Sequence, residues 1–212
     1  MAKRKCKSLP SRAKVLFGLI VLTAALSIGA AALIIGGQPK SGQVTGSGTA
    51  LIGGPFNLTD QTGRKVTESD FRGRYMLVFF GYTYCPDVCP TELQVMTRAV
   101  ESMGAAGEKI TPVFISVDPE RDTPETLKSY VENFGTRLVG LTGSPAEVAA
   151  AAKAFRVYYA KAGKAEGADY LMDHSNIIYL MDPEGRFVRH FTYTTDAKAL
   201  AEELSAATAG SL

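Results

Sequence analysis

Residues 75–104 read YMLVFFGYTYCPDVCPTELQVMTRAVESMG. The first eight, YMLVFFGY, are an unbroken apolar run of a length that suits a strand buried on both faces. After it, Leu93, Met96, Val100 and Met103 recur at helical spacing, which predicts a helix over 91–104 with Gly104 as its stop. Between strand and helix stand Cys85 and Cys89, each followed by a proline. A spacing of four puts both side chains on one face of a helical turn. The N-terminus of a helix also favours the thiolate. Such a pair can close a disulfide after small adjustment, cycle as a redox catalyst, or hold a metal ion. Redox pairs in this position usually carry two intervening residues. The three found here favour chelation.

Working outward, the pattern is that of an α/β domain. FNLTDQTGRKV predicts two short strands around a turn at Asp60–Gly63, and ITPVFISVD (110–118) a second buried strand. Thr123 with Pro124 opens a helix running to about Phe134, by the N-cap and N1 preferences. RLVGLTG (137–143) is another strand, and Ser144, Pro145 and Glu147 start a helix through Phe155. RVYYAK is a short strand and AGKAEGAD a polar loop. SNIIYLMD and GRFVRHFTY form a hairpin, and 196–207 a closing helix. This order predicts an α/β fold with a central mixed sheet and helices on both faces. A strand leading through cysteines into a helix is the thioredoxin-like layout.

The N-terminal quarter has a different character. Residues 1–14 carry Lys3, Arg4, Lys5, Lys7, Arg12 and Lys14 and no acid, leaving 17 basic and 21 acidic groups in the rest. The bulk of the chain is therefore mildly acidic, which argues against nucleic acid as a partner. Residues 15–35, VLFGLIVLTAALSIGAAALII, hold no charge. About 20 apolar residues span a bilayer as a helix. The expected organisation is a basic cytoplasmic tail (1–14), a single transmembrane helix (15–35), a Gly- and Ser-rich flexible linker (36–54) and a folded domain (55–212). The basic flank keeps the tail inside and exports the domain. Cleavage of the apolar segment as a signal peptide, near Gly29 to Ala32, is the alternative. The short tail points to a bacterial inner membrane with the domain in the periplasm. A mitochondrial inner membrane facing the intermembrane space is the second choice. Cys6 then lies alone on the reducing side, whereas Cys85 and Cys89 lie where disulfides persist.

A metal site needs a third ligand, and the chain has two histidines. His190 lies in a strand, where alternation puts Phe187, Arg189 and Phe191 on one face and Val188, His190 and Thr192 on the other. Nothing on that face suggests a ligand set. His174, in YLMDHSN, follows a polar loop at the mouth of a strand; a turn capping that strand is the plain alternative. Two thiolates and one imidazole suit copper, above all Cu(I) in a three-coordinate site. Zinc would need a fourth ligand. Asp173 is a candidate to orient a neighbouring N–H group. Met172 reads as core rather than as a thioether ligand. Asp118, Glu120 and Asp122 are interrupted by Arg121 and read as a solvated turn and helix cap. Nucleotide-binding glycine motifs are absent.

The segments GGPFNLTDQTG, FFGYTYCPDVCPTEL, PVFISVDPERDTPETLKSYV, LVGLTG, FRVYY and DYLMDHSNIIYLMDPEGRF, in this order, resemble the Sco/SenC family over about residues 50–207. The resemblance implies a thioredoxin-like domain on one membrane anchor. It implies copper, as Cu(I) or Cu(II), held by Cys85, Cys89 and His174. It further implies partnership with a copper donor protein and with cytochrome c oxidase subunit II or its apo form, whose dinuclear copper centre the family helps to build. At Met172 the family would carry a branched aliphatic residue. Thiol–disulfide oxidoreductase, thiol peroxidase and structural zinc module are the competing functions, the first two requiring cysteines that cycle with a reductant.

Overall fold

The computed structural model describes residues 51–162, 170–192 and 196–209. The tail, the apolar segment, Cys6, most of the linker and nearly all of the AGKAEGAD loop lie outside the described residues. Among the described residues no helix is long and apolar enough to cross a membrane.

The strand that leads to the cysteines, β3 (Tyr75–Gly81), is buried along its whole length. It lies between a parallel neighbour, β4 (Ile110–Ser116), and an antiparallel one, β8 (Ile177–Met181). The remaining strands are β1 (Asn57–Asp60), β2 (Lys65–Thr67), β5 (Val139–Thr142) and β9 (Phe187–Thr192). Together they form a seven-stranded mixed sheet in the order β2-β1-β5-β4-β3-β8-β9. The helices are α1 (Val88–Ser102), α2 (Pro124–Val131), α3 (Pro145–Ala154) and α4 (Ala197–Thr208). β-Strand alternation sorts them onto two faces. Phe79 and Phe114 stack side by side at 6.4 Å, and Phe114 meets Tyr130 of α2 at 5.6 Å. Phe80 points the other way, to Phe155 at the end of α3, 5.3 Å away. The expected helices on both faces are therefore present, in the α/β, thioredoxin-like class.

Local chemistry sets the boundaries. Thr123 accepts the Thr126 N–H at 3.2 Å, Ser144 and Glu147 form a reciprocal capping box, and Asp196 accepts the Ala199 N–H at 2.8 Å. Each satisfies donors that a helix start leaves open.

The structure departs from the expectations in four places. Helix α1 begins at Val88, not Thr91, because Pro90 falls in the first turn, where a missing N–H costs nothing. Residues 51–54 are not free tether: the Gly53 N–H donates to the Ala154 carbonyl at 2.9 Å, and a side chain there would strike Met181. A register shift between Leu180 and Met181 opposes Met181 to Phe187 and Leu180 to Arg189. That irregularity sets Phe187 on the face of His190, where the two rings stack at 6.4 Å. Lastly, Met172–His174 form a short strand, β7, paired antiparallel with β6 (Tyr159–Lys161) in a separate two-stranded ladder. His174 is thus inside a strand and not in a turn.

Candidate metal centre

Beyond Gly81 the chain leaves the sheet and runs through Tyr82–Asp87 into α1. Cys89 lies in the first helical turn and is fully buried, while Cys85 precedes the helix and is half-buried. The two cysteines do not share a helical turn, as the spacing suggested. They meet because the loop folds back: the Cys89 backbone N–H donates to Cys85 Sγ at 3.4 Å. Cys85 sulfur therefore occupies the place of a capping acceptor at the positive end of the helix. Gly81 makes this possible, since a Cβ there would stand 2.7 Å from Cys89 Sγ.

Both cysteines are reduced, and their chemistry is unequal. A hydrogen bond from the Cys89 side chain, opposed by burial and aided by the Cys89 and Asp87 backbone, holds the Cys85 thiol far below its ordinary range. The same bond and deep burial push the Cys89 thiol up. Cys85 is the thiolate of the pair and Cys89 its proton donor. Tyr82 bonds to the Cys85 side chain and to the Met172 backbone, and burial pushes its hydroxyl pKa up.

His174 reaches the pair from 85 positions away, with Nε2 at 3.4 Å from Cys89 Sγ. Its Nδ1 lies 3.2 Å from the Ser175 carbonyl, which can only accept. The ring proton is therefore on Nδ1, and the Nε2 lone pair faces the sulfurs. This is the tautomer of a metal-ligating imidazole. Phe79 and Tyr82 hold the ring edge-on, at 5.9 and 6.0 Å.

The donor set fits an ion. Trigonal bonds of about 2.3 Å to sulfur and 2.05 Å to nitrogen require a sulfur–nitrogen separation of about 3.8 Å. The Cys89–His174 contact would open by about 0.4 Å to accept one. Among the described residues no three His, Cys, Asp or Glu side chains form a ready-made chelate; this trio is drawn closed by the Cys89 N–H bond to Cys85 and the close Cys89–His174 contact.

The other sequence candidates lie apart from this centre. His190 is exposed on β9. Asp173 is exposed and alternates away from His174 on β7, so the ring N–H goes to Ser175 and not to it. Met172 shares the His174 face by alternation and is buried.

Sequence reasoning missed the support behind the loop. Asp118 and Asp122 are not solvated; they are 2% and 0% exposed. Asp122 accepts from the Thr83 N–H at 3.0 Å, the Thr83 hydroxyl at 2.6 Å and the Ser116 hydroxyl at 2.5 Å. Burial still pushes its carboxyl pKa up. Thr83 lies two residues before Cys85, so this carboxylate pins the cysteine loop to the end of β4. Only Ser116 at the end of β4 and Thr83 just past β3 hinted at it in the sequence, and neither names a distant acid by itself.

A family model for SCO1/SenC matches residues 44–209. The chain belongs to the SCO1/SenC family. Among curated SCO1/SenC relatives, the mitochondrial SCO1 homolog of Homo sapiens is 47% identical over 146 residues, which are 68% of this chain and 48% of that protein. The chain spans 48% and 47% of the length of the human and Arabidopsis thaliana relatives. Two solved family structures are similar throughout the folded unit. Bradyrhizobium japonicum ScoI with copper bound is 48% identical at a TM-score of 0.68, covering 73% of this chain and 98% of that one. Arabidopsis thaliana ScoI with copper bound is 42% identical at a TM-score of 0.71, covering 75% and 99%.

Proposed function

We propose that this chain is a membrane-anchored copper chaperone that binds copper through Cys85, Cys89 and His174. The observation that carries the reading is the orientation of His174: its Nδ1 proton goes to the Ser175 carbonyl, and its Nε2 faces Cys89 Sγ at 3.4 Å, beside the sulfur of Cys85. Two soft thiolates and a neutral imidazole select copper over hard cations. The copper bound in the similar ScoI structures of Arabidopsis thaliana and Bradyrhizobium japonicum supports the same choice.

The function is ligand exchange. Cys85 is half-buried at the edge of the loop, so an acceptor's thiolate can approach the site from that side. Copper then passes through an intermediate with shared ligands. The acceptor implied by family membership is the dinuclear copper centre of cytochrome c oxidase subunit II, supplied in turn by a copper donor protein. Residues 15–35 would anchor the chain in the inner membrane with the domain in the periplasm. Closing Cys85 and Cys89 into a disulfide removes both thiolates, so copper binding requires the reduced pair.

One observation favours a second reading, thiol–disulfide oxidoreductase. The lowered, accessible Cys85 beside the raised, buried Cys89 matches an attacking and a resolving thiol. The two readings part at His174. The full chain in detergent, reduced and anaerobic, is titrated with Cu(I) against a competing chelator, beside His174→Ala and Cys85→Ser. One tightly held copper, weakened in both variants, supports the chaperone. Weak binding indifferent to His174, with turnover of a disulfide substrate intact, supports the oxidoreductase.

A further inference from the structure

The cysteines and the histidine arrive on different parts of the fold. Cys85 and Cys89 hang from β3, an inner strand of the seven-stranded sheet, whereas His174 sits on the separate β6–β7 ladder. A two-stranded ladder is marginal by itself. Something must hold it against the cysteine loop.

Arg121 stands between them. Its guanidinium carbon lies 3.7 Å from the ring centroid of Tyr170, 4.7 Å from that of Tyr84 and 5.9 Å from that of Tyr82. Tyr84 immediately precedes Cys85, and Tyr170 lies two residues before β7. Asp118 locks the arrangement: one carboxylate oxygen accepts the Arg121 Nε–H at 2.5 Å, and the other accepts the Tyr170 hydroxyl at 2.6 Å. Tyr170 is thus held by its face and by its hydroxyl. Lys161 covers the same ring, with Nζ 4.2 Å from the centroid, and pairs with Glu120 at 2.7 Å. The Arg121 side chain is 19% exposed, so these contacts are made largely out of water, where a cation over a ring is worth most. A lysine in its place keeps the charge but loses the plane that lies on the rings.

We propose that Arg121 is a positioning residue, a clamp that holds the histidine-bearing ladder against the cysteine loop and so sets the three ligands at binding distance before copper arrives. The proposal rests on the copper reading of Cys85, Cys89 and His174. A clamp of this kind acts only through the ligand it positions. Its loss therefore weakens copper binding when His174 is present and changes nothing when His174 is gone. An ordinary structural residue would act alike in both backgrounds.

The test is a cycle in the full chain in detergent, reduced and anaerobic: wild type, Arg121→Met, His174→Ala and the double variant, with Arg121→Lys as the milder change. Three quantities are read: Cu(I) affinity by chelator competition, amide hydrogen exchange of the metal-free protein, and circular dichroism as a check on folding. Arg121→Met is expected to weaken Cu(I) about tenfold, and Arg121→Lys about threefold. The His174→Ala protein is expected to show no further loss from Arg121→Met. In the metal-free protein the Met172 and Ser175 amides are expected to exchange faster in both Arg121 variants, while those of β3 do not change. Equal weakening in the two backgrounds, or unchanged affinity, overturns the proposal. If His174→Ala itself leaves copper binding intact, the copper reading fails on its own, and unchanged exchange at Met172 and Ser175 then overturns the clamp separately. Should Arg121→Met lose its folded spectrum, Arg121→Lys carries the cycle.

Discussion

Gly81→Ala probes the cysteine site with a single methyl group. The added Cβ would stand 2.7 Å from Cys89 Sγ, 2.9 Å from Phe114 Cε2 and 3.1 Å from Phe79 Cε1. Carbon contacts are comfortable at about 3.5–4.0 Å, so the sulfur must retreat by about 1 Å. Neither ring can yield, since Phe79 and Phe114 are fully buried and stacked on each other. Replacing glycine with alanine at an unstrained position gains about 0.4–1 kcal/mol through the unfolded chain. Overpacking a filled core costs about 1–3 kcal/mol. The net is a loss of about 1–2 kcal/mol, which lowers the midpoint of melting by about 2–8 °C in a domain of this size. Displacing a ligand-bearing sulfur should also weaken Cu(I) by about 10–100-fold, as changes next to a metal ligand do. Urea unfolding and chelator competition measure the two effects. The closest of the three contacts disappears in a Cys89→Ala background, so the stability penalty should shrink there. A Gly81→Ala protein as stable as wild type, or one with the same penalty in both backgrounds, would refute the reasoning.

Asp122→Ala leaves the Thr83 N–H, the Thr83 hydroxyl and the Ser116 hydroxyl without their acceptor, and should cost about 2–4 kcal/mol in urea unfolding; a loss under 0.5 kcal/mol would contradict the structure. Cys85 and Glu92 should give opposite pH dependences in the reduced protein. Cys85 is lowered by the Cys89 hydrogen bond, so the unfolded chain binds the extra proton and stability rises with pH from the folded value up to the ordinary thiol range. Cys85→Ser should flatten that rise. Glu92, raised by burial on α1, binds its proton more tightly when folded, so stability falls as pH climbs from the ordinary carboxyl value to the folded one. Glu92→Gln should abolish that fall, and parallel wild-type and variant curves would show that Glu92 is not buried as described. Tyr82→Phe removes a hydroxyl bonded to the Cys85 side chain and the Met172 backbone; Cys85 is already ionised at neutral pH, so the freed sulfur should be alkylated faster there, and an unchanged rate would exclude that bond.

The middle of the sheet was legible in the sequence because β3 and β4 are long and apolar, and three helices because of strong caps at Thr123, Ser144 and Asp196. The three candidate ligands were legible because cysteine and histidine are scarce here and sit at element ends. The first turn of α1 was hidden by Pro90, which reads as a stop although it is tolerated at a helix start. β6 was read within RVYYAK, but its partner β7 was hidden because three residues carry too little periodicity to declare a strand. The irregular register opposite Leu180 and Met181 has no glycine to mark it, so alternation misplaced Phe187. Asp118 and Asp122 looked solvated because their partners, Tyr170 and Thr83, lie 52 and 39 positions away. Burial of an acid depends on donors that only the folded chain brings near.

Under the copper function proposed above, the separate ladder that carries His174 gives the site an order of release. The cysteines are rooted in the part of the molecule that opens last, since β3 is buried on both faces and paired on both edges. The histidine is rooted in three-residue strands that open with far less free energy. Cargo held between a firm jaw and a soft one leaves from the soft side. An acceptor therefore need not pull copper away from all its ligands together. It has only to wait for the imidazole to swing out and take its place, after which the sulfurs let go one at a time.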